Sequence, residues 1–171
     1  MSAEASKLDV FKECALFQPL PPAQREDLYK LFDWIALNEG NEIIREGDRA
    51  DFLLVVASGA LEVSRRRGDE SQLIGFARAG SVLGEMGILT DETRFATCRA
   101  ISATRVGLLS RDIFSGLRAS NPELFVQLIS QLTGNLCRRL RQTTELVGNL
   151  KQRNEIALKA ATQILEAAMS S

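Results

Sequence analysis

The chain has 171 residues, 45% hydrophobic and 25% charged, and a formal charge of −1. That length suits one domain with an appendage and a real core, and the balanced charge offers no basic field for nucleic acid or an acidic membrane. Histidine is absent altogether, which excludes Ser-His and Cys-His catalytic arrangements and histidine-ligated metal or haem.

The opening MSAEASKLDVFKE is polar and charged, so a signal peptide or anchor is not expected. No apolar run approaches the length of a membrane span, and the expected location is cytoplasmic. Residues 8–18 place Leu8, Phe11, Ala15 and Phe17 near one helical stripe. PLPPAQREDLYKLF then predicts a turn and a helix, with Pro22 in its first turn. Cys14, Cys98 and Cys137 are far apart and show no CxxC spacing. They read as reduced, small, partly buried residues, with no metal or redox centre expected.

From Asp33 the texture changes. DWIALN, NEIIRE, FLLVVAS, ALEVSRR, SQLIGFAR, TCRAIS and RVGLLS are short apolar or β-branched runs. Glycine-containing turns separate them at Glu39-Gly40-Asn41, Gly47-Asp48, Ser58-Gly59, Gly68-Asp69 and Ala79-Gly80. That rhythm predicts an antiparallel barrel or sandwich. Ser58-Gly59 reads as a tight hairpin connection, and Arg65, Arg66 and Arg67 precede a second, solvated hairpin tip.

After Ser110, RDIFSGLRASN predicts a short helix, and Asn121-Pro122 a cap with proline at the first helical position. A long helix follows. Leu124, Phe125, Leu128, Ile129 and Leu132 form a wide stripe, suited to packing on the barrel. Beyond them Leu136, Leu140, Thr143, Val147, Leu150, Asn154, Ala157, Ala161, Ile164 and Ala168 alternate at spacings of four and three. A narrow seam with charged flanks predicts pairing of the helix with its own copy. Asn154 either caps a new helix or sits inside a continuing one.

One loop does not fit the rhythm. GEMGILTDETRFATCRA, residues 84–100, places Glu85 and Arg94 at its two ends. A carboxylate accepts two hydrogen bonds, and a guanidinium presents a planar fork to an anion. The pair suits a ligand with a hydroxyl and a phosphate; a solvated turn with a surface ion pair is the alternative.

Taken in order, EGNEIIREGD, FLLVVASGALEV, GSVLGEMGILTDETRFATCRA and RRLRQTTELVGNL resemble the cyclic nucleotide-binding domain family over roughly residues 14–153. The branch they resemble is that of the bacterial catabolite activator proteins. The resemblance implies an α+β fold: an antiparallel, jelly-roll-like β-roll flanked by N-terminal helices and a long C-terminal helix. Its segments would be residues 1–32 (N-terminal helices), 33–110 (β-roll, with the phosphate-binding cassette at 82–96) and 111–171 (C-terminal helices, including the dimerisation helix).

The resemblance also assigns roles. Gly84 lets the backbone approach the sugar phosphate, Glu85 takes the ribose 2′-hydroxyl and Arg94 the cyclic phosphate. Met86 and Phe95 belong to the same cassette, and amides around Gly87 to Leu89 add donors. Arg139 would stand near the Glu85 carboxylate, with Thr143 and Thr144 near the adenine edge, the second hydroxyl coming from the other subunit. Two cassette positions depart from the family: Thr93 replaces a stiffening proline, and Phe95 replaces a small or hydroxylated residue. Phe95 donates only through its backbone, and its ring either enters the core or crowds the pocket.

The implied function is a sensor, not an enzyme, with no catalytic residues, metal or cofactor. Its ligand is cAMP or cGMP, with cAMP favoured, and it signals as a homodimer through the long helix to an unknown effector protein. The catabolite activators continue into a DNA-binding winged helix; this sequence runs to Ser171 without that pattern, so neither specific DNA binding nor membrane association is expected. The alternatives are a degenerate, ligand-free dimerising scaffold and a binder of another nucleotide, such as a cyclic dinucleotide.

Overall fold

The computed structural model describes Cys14, residues 17–90 and residues 92–169, with side chains described as far as residue 159. The stripe through Leu8, Phe11 and Ala15 lies outside these residues; Phe17 is buried.

Helix α1 (Pro22–Lys30) starts on its proline, whose missing N–H has no partner to lose there, and buries Leu28. The strands β1 (Asp33–Leu37), β2 (Glu42–Ile44), β3 (Phe52–Ser58), β4 (Ala60–Arg67) and β5 (Glu70–Arg78) follow. Then come β6 (Val82–Leu83), a short helix α2 (Glu85–Leu89), β7 (Thr97–Ala100) and β8 (Thr104–Ser110). Helices α3 (Arg111–Ser120) and α4 (Pro122–Met169) complete the order.

The strands form two four-stranded sheets, ordered β1-β8-β3-β6 and β2-β7-β4-β5, and every pairing is antiparallel. This is the expected β-roll with flanking helices. Each predicted strand run forms a strand; β6, two residues long, was not foreseen.

FLLVVAS has no polar alternation because both faces of β3 are covered. Leu53 and Val55 join Phe17, Leu28, Leu109, Phe114, Leu124, Leu128 and Leu132 in one apolar cluster. Leu54 and Val56 join Leu61, Leu83, Cys98 and Val106 in another, shared by strands of both sheets. Burying one such aliphatic side chain stabilises the fold by roughly 1.5–3 kcal/mol.

The hairpin expected at Ser58-Gly59 is instead a corner between the sheets. Strand β3 pairs with β6 and β8, whereas β4 pairs with β5 and β7, so the chain changes sheet at Gly59. Gly59 has φ +79°, and a Cβ there would stand 2.5 Å from both the Ala103 carbonyl and the Thr104 hydroxyl. The buried Thr104 Oγ1 accepts the Ala60 N–H at 3.1 Å and closes the corner. Gly59→Ala therefore combines backbone strain with a steric clash, and should cost more than about 2 kcal/mol of stability in urea unfolding. A midpoint equal to wild type would disprove this account. The second hairpin is as expected: Arg67 pairs with Glu70 across Gly68-Asp69, with Gly68 at φ +63°.

Both helix caps are made by side chains. Ser110 Oγ accepts the Ile113 N–H at 3.2 Å to start α3, and Asn121 Oδ1 accepts the Leu124 N–H at 3.1 Å to start α4. Helix α4 runs unbroken for 48 residues through Asn154. The chain divides into two units at Leu132 and Thr133, inside α4. In the first unit, Leu124, Leu128 and Leu132 are buried on the core. In the second, Leu140, Leu146, Val147, Leu150, Ile156 and Leu158 are exposed. No helix among the described residues is long and apolar enough to cross a membrane.

Candidate functional site

The cassette begins where β6 runs into Gly84. Gly84 has φ +80° and is the N-cap of α2. A Cβ on it would lie 2.5 Å from Arg94 Nη1 and 3.0 Å from the Phe52 carbonyl. Glycine is thus required both by conformation and by the guanidinium behind it. Gly87 is similarly placed against Ala50, whose Cβ a side chain would meet.

Arg94 and Glu85 are not surface groups. They are 4% and 2% exposed, which disposes of the solvated-turn alternative. Arg94 Nη1 donates to the Phe52 carbonyl at 2.6 Å, and Nη2 to Asp51 Oδ1 at 3.3 Å. Its Cζ lies 4.2 Å from the centre of the Phe52 ring. The backbone around it is pinned to the β2–β3 connection: Arg94 N–H donates to the Asp48 carbonyl at 2.8 Å, and Gly47 N–H to the Arg94 carbonyl at 2.9 Å. Burial lowers the pKa of the guanidinium from the ordinary arginine range, with Asp51 opposing that shift. Cys98, buried beneath, has its thiol pushed up to about 12, chiefly by burial. A cavity of about 340 Å³ reaches Arg94 between Ile43, Ile44, Arg45, Asp48, Arg49, Asp51 and Phe52. Gly84, Glu85 and Phe95 do not line it.

Met86 is partly exposed, and its carbonyl accepts both the N–H and the hydroxyl of Thr90, closing α2. The Phe95 ring does not enter the core: it is 49% exposed, and Arg65 Cζ stacks 4.2 Å from its centre. Arg139, Thr143 and Thr144 are grouped on α4 in the second unit. The Thr143 and Thr144 hydroxyls donate to the Arg139 and Leu140 carbonyls at 2.9 Å each, so their lone pairs remain acceptors.

Sequence reasoning missed Asp51, Phe52 and Arg111. Arg111, the first residue of α3, donates to the Ala50 carbonyl from Nε at 2.9 Å and from Nη2 at 2.7 Å. The same Nη2 reaches the Gly87 carbonyl and, at 3.1 Å, that of Thr90. One guanidinium thus ties the last turn of α2 and the entry of β3 to the end of β8. Nothing in RDIF marks it apart from an ordinary helix start, because its partners are distant in sequence.

The arrangement offers a buried cation, a glycine that keeps backbone close to it, and a buried carboxylate on the adjacent short helix. Such a set is suited to holding an anion and a hydroxyl. Comparison with known proteins gives the family. The family profile described as cyclic nucleotide-binding domain matches residues 34–121, more than half of the chain. The crystal structure of a cyclic nucleotide-binding domain from Methylobacillus flagellatus superposes with a TM-score of 0.73 at 26% identity, covering 82% of this chain and 80% of that one. The catabolite activator protein of Thermus thermophilus does so at 0.70 and 26% identity, covering 80% of this chain and 62% of that one. A lysophospholipase of Aspergillus fumigatus is 28% identical over 131 residues, 76% of this chain but 8% of its own length. The cGMP-dependent protein kinase of Caenorhabditis elegans is 43% identical over 75 residues, 44% of this chain and 9% of its own. The chain therefore spans less than a tenth of these relatives' length. The fold, the cassette and these matches agree: the chain belongs to the cyclic nucleotide-binding domain family.

Proposed function

We propose that the chain is a cyclic nucleotide sensor, for cAMP in preference to cGMP, that signals through dimerisation of α4 to a partner protein. One observation carries the ligand assignment. Arg94 is buried, yet among the described residues only two of its five N–H donors are spent, on Phe52 and Asp51. A buried guanidinium with uncommitted donors, next to a glycine-lined backbone, is suited to a cyclic phosphate. Glu85 then takes the ribose hydroxyl. The preference for adenine rests on Thr143 and Thr144, whose hydroxyls accept from an amino group; the guanine oxygen at that edge needs a donor.

A ligand-free scaffold is the second reading, favoured by the counter-ion that Arg94 already has in Asp51. That carboxylate is 65% exposed on its side chain, so water screens the pair and a phosphate can outcompete it. Calorimetric titration with cAMP, cGMP and cyclic dinucleotides separates the readings. Saturable cAMP binding, tighter than cGMP, is expected, and Thr143→Val with Thr144→Ala should narrow the ratio between the two. An unchanged ratio means that the helix does not read the base; no binding of any of them leaves the scaffold.

A further inference from the structure

We propose that the outer face of the β4–β5 hairpin is where the partner protein docks, an inference that rests on the partner reading above. The docked element is an extended segment carrying a basic, an apolar and an acidic residue at alternate positions. Strand β5 is the edge of its sheet, a place that proteins ordinarily blunt with lysine, proline or short length. ESQLIGFAR has nine residues and neither lysine nor proline. Its Leu73, Ile74 and Phe76 are all half exposed.

Strict alternation would send Leu73 and Phe76 to opposite faces. A bulge prevents this: Gly75 pairs with Val63 and Leu73 with Ser64, so Ile74 has no opposite residue on β4. Leu73 and Phe76 therefore stand opposite Ser64 and Glu62, on the side of β4 turned away from Leu61 and Val63 and their apolar cluster. The result is one outer patch of apolar side chains, the kind of surface that marks an interaction site. The same bulge interrupts the free edge, so the face is offered and not the ladder.

Beside the patch lies a groove of about 660 Å³, lined in part by Glu62, Ser64 and Arg66. Its charges are unevenly spent. Arg99 stands opposite Glu62 on β7, yet its Nη2 goes to Glu42 at 3.4 Å. Glu46 takes Arg65 Nε at 3.5 Å and the Arg66 backbone N–H at 2.7 Å. Among the described residues, neither Glu62 nor the Arg66 guanidinium makes an ion pair. One uncommitted acid and one uncommitted base thus sit on the same strand face, about 13 Å apart, with Ser64 between them.

Side chains at i, i+2 and i+4 of an extended segment share a face at that same spacing. A segment lying along β4 sets a basic residue on Glu62 and an acidic one on Arg66. The apolar residue between them falls beside Leu73 and Phe76. The patch supplies affinity, and the two charges fix register and reject segments of uniform sign. Glu62, Ser64 and Arg66 do not line the cavity that reaches Arg94, so partner and nucleotide need not compete.

The test uses two sets of short synthetic peptides, Lys-x-Leu-x-Asp and Asp-x-Leu-x-Asp with x randomised, titrated onto the full chain. Wild type should prefer the first set and Glu62→Lys the second, each by roughly tenfold. Phe76→Ser, shown to be folded by circular dichroism, should bind neither set. Glu26→Lys, on the exposed side of α1, is the charge control and should behave as wild type. An unswitched preference in Glu62→Lys, a switch in Glu26→Lys, or full binding by Phe76→Ser overturns the proposal. Failure of wild type to bind either set overturns it too. If Phe76→Ser elutes as a smaller species than wild type on a sizing column, a second copy covers the patch, which also overturns it. A parallel cAMP titration of the same four proteins should give equal affinities. Loss of cAMP binding in all of them would sink the cassette reading and leave this surface standing.

Discussion

Titrated with cAMP, the Arg94→Leu variant should lose most of its affinity, by about 2–5 kcal/mol. The substitution removes the anion's only buried counter-charge in the cassette and a fork that no other side chain there can supply. It also frees the Phe52 carbonyl of its partner at 2.6 Å, a loss of about 1–3 kcal/mol in stability. Circular dichroism and a melting curve must therefore accompany the titration, to show that the variant is still folded. Arg94→Lys keeps the charge without the planar fork and should bind at an intermediate level. Glu85→Ala should weaken binding less than Arg94→Leu, since it deletes a hydroxyl acceptor and not the charge partner. Equal cAMP affinities for folded Arg94→Leu and wild type would sink the ligand assignment.

Leu140→Glu should convert a dimer into monomers on a sizing column. Leu140 is 68% exposed, and it stands in a seam with Thr143, Val147, Leu150, Asn154 and Ala157 along the second unit of α4. Most of a helix's stability comes from packing its apolar face, and this one carries Gly148 in its interior, which costs about 1 kcal/mol relative to alanine. Exposed leucines and valines at such a spacing are stabilised when a second copy covers them. A glutamate in the seam brings like charges together across a two-fold axis. Gln152→Glu, placed on the outer side of the next heptad, is the control and should remain dimeric. A monomeric wild type at high concentration would refute the paired helix.

The strands were legible because glycine-containing turns and short apolar runs set their limits, and because turn glycines at positive φ fall between them. The corner at Ser58-Gly59 was misread for a physical reason. A left-handed glycine between two apolar runs has the same local chemistry whether the chain folds back on one sheet or crosses to the other. Only the packing of Thr104 and Ala103 against Gly59 distinguishes them, and those residues are distant in sequence. Strand β6 has two residues and no periodicity to detect. Glu85 and Arg94 could be picked out as a pair, but their burial could not, since a charged loop normally faces water. The clamp made by Arg111 and the mooring made by Asp51 and Phe52 are long-range hydrogen bonds that leave no local pattern. The stack of Arg65 on Phe95 was hidden for the same reason: RRRGDE reads as a solvated tip until the ladder between β4 and β7 brings it to the cassette.

The double-sided burial of β3 bears on how a bound ligand can be felt. Phe52 and Asp51, which hold Arg94, stand at the mouth of a strand whose next four residues, Leu53 to Val56, are each 0% exposed. Backbone amides in such a strand meet solvent only when the whole unit opens. The arginine proposed to receive the anion is thus moored to a strand buried on both faces. On the proposed function, strain from a ligand would not be relieved by that strand giving way. It would fall instead on the lighter segments tied to it, the five-residue helix α2 and, through Arg111, the first turn of α3.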